Sequence, residues 1–187
     1  MRLSLNLLRS AVESENAGAH PSELPSLEYP LFPPPRLAVL GAELRPSPGT
    51  HCFPYWSAPQ LAQLQPMALA GSFEELANVA RLEGDGVLLL RDLRYPLVVF
   101  TPPAAAPLSD ERHDQLWRWF RLPVFEQIRN AAHQLLAWEC EAHQGFHLSH
   151  GVLPSHLGAA TLPGPCPCGA KEARVALLRP NALAASF

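Results

Sequence analysis

Five residues in the second half of the chain have the types and spacing that suit a metal ion: Cys140, His143, His147, Cys166 and Cys168. They fall in two groups. Cys140-Glu141-Ala142-His143-Gln144-Gly145-Phe146-His147 has the pattern C-x2-H-x3-H, and Pro165-Cys166-Pro167-Cys168-Gly169 comes later as C-x-C. Structural zinc takes four Cys or His ligands in a tetrahedron, usually as two short pairs separated by a loop. Here one pair is Cys140 with His143 or His147, and the other is Cys166 with Cys168. Two thiols one residue apart are too close for an easy mutual disulfide, yet on a Pro/Gly turn both can face one ion. A three-residue step on a turn points side chains the same way, which favours His143 over His147 as the imidazole. The competing reading has no metal, with Cys140 a small buried hydrophobe at a strand end and the other two as loop thiols. His150 and His156 extend the histidine cluster and would be the residues to assist water at an open zinc site.

The elements that must hold these residues can be read from hydrophobic pattern. Leu37-Ala38-Val39-Leu40, Val87-Leu88-Leu89-Leu90 and Leu97-Val98-Val99-Phe100 are continuous apolar runs, expected as strands covered on both faces. Ser57 and Ser72 are candidate helix caps, and Phe73, Leu76, Ala77 and Ala80 recur at helical spacing behind Ser72. Ser109 opens a second such helix to Phe120, with Asp110, Glu111 and Asp114 near its start and His113, Leu116, Trp117 and Phe120 as its inner stripe. Leu122–Ile128 reads as a strand, 129–134 as a turn, and Leu135–Glu141 as an antiparallel return. The expectation is an α/β fold, a mixed sheet with flanking helices. It carries a proline-rich arm at 1–36, extended or partly disordered, ahead of a single domain at 37–187. A small zinc-stabilised C-terminal lobe occupies 138–178, and its segment 148–165 offers little apolar content of its own.

Composition narrows the function. The 187 residues carry a net charge of −3 with 17% charged side chains, so there is no basic face for nucleic acid. No run of 18 apolar residues occurs, and the stretch Met1–Val12 lacks a secretory core before Glu13 and Glu15; a cytoplasmic protein is expected. Stable disulfides are correspondingly disfavoured. Six prolines fall between Pro21 and Pro35, which excludes helix or central strand there. No G-x-G-x-x-G, G-x4-G-K-[ST], G-x-S-x-G or H-E-x-x-H occurs, which removes the common nucleotide, hydrolase and metalloprotease motifs.

Three blocks resemble the phenylacetate–CoA ligase family of the adenylate-forming superfamily. Pro107-Leu108-Ser109-Asp110-Glu111, with the Trp117-Arg118-Trp119-Phe120 helix end and Leu122-Pro123-Val124-Phe125-Glu126, looks like that family's turn, helix and "g-V-P-V-y" strand. Glu139-Cys140-Glu141-Ala142-His143-Gln144-Gly145-Phe146-His147-Leu148 is similar to its "ECE-x-x-x-G-L-H" segment, and Leu162–Gly169 to its "L-P-G-x-C-P-C-G" segment. Together they cover roughly residues 96–178. The resemblance implies a structural metal between the last two blocks, held by Cys140, His143 or His147, Cys166 and Cys168. The departures bear on activity. No Ser/Thr/Gly-rich triphosphate loop is present, and Phe125-Glu126-Gln127-Ile128-Arg129-Asn130 stands in the place of the family's Y-G-x-[ST]-E. The ribose-binding acid and the lid lysine have no equivalent, Lys171 being the only lysine. A shortened, non-catalytic zinc-binding relative that works through a partner protein, or as a homo-oligomer, is therefore expected. The alternative is a small zinc-dependent enzyme with an open metal site.

Overall fold

The computed structural model describes residues 24–31, 33–45 and 47–177. Strands β1 (Leu37–Leu40), β2 (Thr50–Phe53), β3 (Ala68–Ser72), β4 (Leu97–Thr101) and β5 (Val124–Arg129) are parallel. With β6 (Leu135–Glu139), β7 (Phe146–Leu148), β8 (Ala159–Thr161) and β9 (Arg174–Leu177) they form one nine-stranded sheet among the described residues, in the order β2-β1-β3-β4-β5-β6-β7-β9-β8. From β6 onward every pairing is antiparallel. Helices α1 (Ala58–Leu64), α2 (Phe73–Gly84) and α3 (Asp110–Phe120) connect the parallel strands.

Crossover handedness explains which face each connection covers. The steps β2→β3, β3→β4 and β4→β5 all move the same way across the sheet, so right-handed connections put all three helices on one face. Leu61, Leu76, Val79 and Leu116 from these helices meet Ala38, Leu40, Leu69, Leu97, Val99 and Val124 there. The step β1→β2 runs backwards, so its connection lands on the opposite face, where Ala42 and Leu44 join Leu37, Val39, Ala70, Val98 and Phe100. No helix covers that second face among the described residues. Leu27 and Tyr29 of the segment before β1 complete it. That segment contains no helix or strand at 24–31 and 33–36; it is tied down by Tyr29, which donates to Pro96 O at 2.8 Å, and by Arg129, which donates to Ser26 O at 3.0 Å. The remainder of the expected arm, 1–23, lies outside the described residues, as does everything after 177.

The helix caps act as their residue types dictate. Ser72 Oγ accepts from Glu75 N at 3.2 Å and Ser109 Oγ from Arg112 N at 3.3 Å, with acids in both first turns. Ser57 occupies the N-cap of α1 without a side-chain hydrogen bond. Two expectations are corrected. Val87–Leu90 is not a strand. Leu88 and Leu90 drop into the core from a loop while Val87 and Leu89 stay exposed; Leu88 N donates to Leu82 O and Leu90 N to Glu83 Oε1, so α2 satisfies the backbone that a neighbouring strand would have. In α3 the inner stripe is Leu116, fully buried, with Phe120 half-buried. Trp117 is 49% exposed, because one residue beyond Leu116 turns it about 100° away from the sheet.

The antiparallel half has its own apolar cluster. Ile128, Ala137, Leu148 and Val175 are buried together, with Val152, Leu157 and Ala159 packed against them. The segment 148–165 therefore supplies core side chains, contrary to its expected lack of apolar content. The switch from parallel to antiparallel is made at Asn130, whose Oδ1 accepts from both Ala132 N and Gln134 N at 3.0 Å and folds β5 back onto β6.

Leu116→Ala should lower unfolding stability by about 2–5 kcal/mol, whereas Trp117→Ala should change it by less than about 0.5 kcal/mol. Urea midpoints of the two variants check this, and equal losses would contradict the assigned inner face.

Candidate metal centre

Strand parity decides which side chains meet. In the β6–β7 hairpin Trp138 pairs with His147 and Glu139 with Phe146. Cys140, two residues beyond Trp138, therefore faces the same side as Trp138 and His147, on the sheet face that carries no helix. The turn between them needs Gly145, which has φ +92°; a Cβ there would lie 2.5 Å from Val175 O and 2.6 Å from Leu162 Cδ1. Cys166 and Cys168 approach from the turn before β9, closed by Gly169 N donating to Cys166 O at 3.0 Å.

Cys140 Sγ, Cys166 Sγ, Cys168 Sγ and one nitrogen of His147 all lie within 4.8 Å of one another. Cys140 Sγ and Cys166 Sγ are 3.6 Å apart, and Cys168 Sγ is 3.3 Å from His147 Nε2. His147 has no exposed surface, and Cys140 and Cys166 each keep 6%. This Cys3His group can hold a metal ion. A tetrahedron with metal–sulfur bonds of about 2.3 Å and a metal–nitrogen bond of about 2.0 Å has edges of about 3.5–3.8 Å, near these two separations and somewhat inside the 4.8 Å spread of the group. The donor set is also chemically apt: three soft sulfurs and an imidazole, all buried except the half-buried Cys168, with little but one another to bind.

His143 is placed elsewhere. At φ +48° in the hairpin turn, its Nδ1 lies 2.8 Å from Glu139 Oε1 and its ring stacks on Phe125 at 5.1 Å. The preference for His143 over His147 is thus corrected: a turn does come after Cys140, but it aims His143 back at Glu139. The signal that would have selected His147 is Gly145, which marks a tight hairpin and hence fixes the parity of β7. His150 is exposed in a turn, and the exposed His156 accepts from Leu153 N through Nδ1 at 3.3 Å; neither belongs to the group.

The local field differs between the sulfurs. The Cys168 backbone N–H lowers the Cys166 thiol, favouring its thiolate. Burial pushes the Cys140 thiol up, because its charged form has lost water. His147 Nδ1 is buried without a hydrogen-bond partner, so the ring is fixed by packing at 5.4 Å on Trp138. Beside the group lies a cleft of about 340 Å³ between the Glu28–Pro30 segment and the Cys168–Ala170 turn; Phe125 and Trp138 line it, and both Cys140 and Cys168 reach its wall.

No protein-family model matches the chain, and no curated protein matches it by sequence. The fold is similar to that of a 2-hydroxyisobutyryl-CoA ligase crystallised in an open conformation with 2-HIB-AMP and CoA, with a TM-score of 0.52 and 13% identity over 75% of this chain. The chain spans 44% of that ligase's length. At such identity the likeness is one of fold alone.

Proposed function

We propose that this chain is a zinc-stapled, non-catalytic relative of adenylate-forming CoA ligases that acts by binding a partner protein. The observation that carries the metal part is the convergence of Cys140, His147, Cys166 and Cys168. Three thiolates with one imidazole is a donor set suited to zinc, and four protein donors fill a tetrahedron, which is the structural rather than the catalytic pattern. Bound zinc would supply a crosslink between the β6–β7 hairpin and the turn before β9. Free thiols in such a group suit a reducing compartment such as the cytoplasm.

The non-catalytic part is supported by the end of β5, where the resembled ligases place a threonine and a glutamate. Here Gln127 donates to Glu28 O, and Arg129 donates to Ser26 O, to His133 O at 2.7 Å and to Gln127 Oε1. That strand end is committed to holding the 24–31 segment, and Asn130 to its hairpin turn, so no hydroxyl or carboxylate is presented to a phosphate there. For the partner, the support is an aromatic surface on the helical layer: Trp117 and Trp119 are 49% and 45% exposed, and Trp119 packs on Phe73 at 6.0 Å. One feature favours a zinc enzyme with an open site instead, the cleft that reaches Cys140 and Cys168.

Purified protein should contain one zinc per chain by elemental analysis. His143→Ala should retain it, and His147→Ala and Cys168→Ser should lose it; retention in His147→Ala with loss in His143→Ala would reverse the ligand assignment. Removing the metal with a chelator should lower the melting temperature, and acid should do the same, because protons compete for three thiolates and an imidazole. A melting temperature indifferent to chelator would remove the structural role. ATP–pyrophosphate exchange with phenylacetate or benzoate should stay at the no-enzyme background; exchange clearly above it would refute the non-catalytic reading.

A further inference from the structure

We infer that Cys140 and Cys166 are a site of reversible oxidative modification: a peroxide entering the cleft beside β6 joins them in a disulfide and leaves Cys168 as a free thiol. The inference rests on the proposed metal centre only for the ion that oxidation would release; the disulfide depends on the sulfurs alone.

Three features of the site select this pair. The first is approach. Cys140 Sγ and Cys166 Sγ are already 3.6 Å apart, and side-chain rotation toward a bond of about 2.05 Å has to close only the remainder. Cys166 sits on a turn, outside any helix or strand, so its backbone is not locked by a ladder. The second is that the other pairings are handicapped. Cys166 and Cys168 are separated by one residue, which strains a mutual bridge. Cys168 Sγ is otherwise engaged, 3.3 Å from His147 Nε2 and accepting from Ala170 N at 3.4 Å. The third is access. In a closed zinc knuckle the sulfurs are sealed from reagents, but here a cleft of about 340 Å³ has Cys140 and Cys168 in its wall, wide enough for a molecule the size of hydrogen peroxide.

The chemistry balances with peroxide as the oxidant. One thiolate attacks a peroxide oxygen, the O–O bond breaks, and a sulfenic acid and hydroxide form. The second thiolate attacks the sulfenic sulfur, forms the S–S bond and expels a second hydroxide. Two protons from solvent convert the hydroxides to water. The two sulfurs lose two electrons, and peroxide gains them. An ion held by the four donors would be left with His147 and Cys168 alone, too few to retain it.

The consequence is specific to this geometry. The disulfide joins the same two pieces that the metal joins, the β6–β7 hairpin and the turn before β9, so oxidation exchanges one staple for another without freeing the lobe. Reduced protein should be sensitive to chelators, and oxidised protein should not.

The test uses the full chain, purified under reducing conditions, freed of reductant and treated with hydrogen peroxide. Released zinc is followed with a colorimetric chelator, free thiols are counted, and the disulfide is located by peptide mapping. The expected result is loss of two of the four thiols, a Cys140–Cys166 bridge with Cys52 and Cys168 still free, and recovery of all four thiols with dithiothreitol. Cys168→Ser should still form the bridge, and Cys166→Ser should not. A bridge that uses Cys168, oxidation to sulfinic acid without a disulfide, or four thiols that stay reduced would each overturn the inference. Protein that carries no zinc but forms the Cys140–Cys166 bridge would sink the metal reading and leave this inference standing. Protein that keeps its zinc and its thiols under peroxide would do the reverse.

Discussion

Two sulfurs and an imidazole largely shut away from water, with a third sulfur at the edge of a cleft, have a cost that the rest of this lobe is arranged around. A buried polar atom without a partner loses roughly 1–3 kcal/mol of hydration. Here Cys140, Cys166 and His147 are nearly or wholly buried, and their principal partners are one another and Cys168. Such a group is unfavourable as four isolated side chains and favourable as one coordinated unit. That asymmetry makes the short strands around it intelligible: β7 has three residues, β8 three and β9 four, and antiparallel pieces so short are marginal without a crosslink or a core. They have both. Ile128, Ala137, Leu148 and Val175 fill the side toward the helices, and the metal-competent group fills the other.

The sheet alternates between these two sides along its whole width. On β4 and β5, Leu97, Val99 and Val124 meet helices, whereas Val98 and Phe100 meet the irregular segment before β1. The same parity continues through β6 and β7, where Trp138 and His147 pair on the side without helices. The metal-competent group therefore lies on the sheet face that chain segments cover, and the cleft between Glu28–Pro30 and Cys168–Ala170 is the gap between two such coverings. One register slip in the β6–β7 hairpin would send His147 to the helical side and separate it from all three thiols. The close approach of Gly145 to Val175 O and Leu162 makes that slip costly, since only glycine fits where the backbone now runs.

Sequence alone reveals whatever depends on neighbours along the chain. Leu37–Leu40 and Leu97–Phe100 are buried strands because a continuous apolar run has no polar side to give to water, and Ser72 and Ser109 cap helices because their hydroxyls satisfy donors two or three residues on. The metal-competent residues are legible as a set, since thiols and imidazoles at these spacings have few other uses. Their final membership is not. Choosing His147 over His143 needs the register of a hairpin, and spacing alone describes both a turn and a strand. Val87–Leu90 has the composition of a strand, but Glu83 and Leu82 reach its backbone first. Trp117 reads as core by hydrophobicity, and only the position of Leu116 against the sheet shows that it must point outward.

Arg129 joins the parallel and antiparallel halves of the sheet. Its guanidinium lies 4.9 Å over the Phe100 ring in a residue only 3% exposed, and burial lowers it to about 10, with Glu28 pulling the other way. It is still a cation at neutral pH, so its donors must be satisfied where water cannot reach. They are satisfied by Ser26 O from the segment before β1, His133 O from the β5–β6 turn and Gln127 Oε1 from its own strand. A hydrophobic residue at 129 would ask nothing of those carbonyls. Arginine makes the 24–31 segment and the hairpin turn conditions of each other's placement, because withdrawing either would strand a buried charge. The segment that walls one side of the cleft is therefore fastened by the same residue that closes the strand leading into the metal-competent hairpin, and the shape of the gap beside Cys140 is set by where Arg129 finds its acceptors.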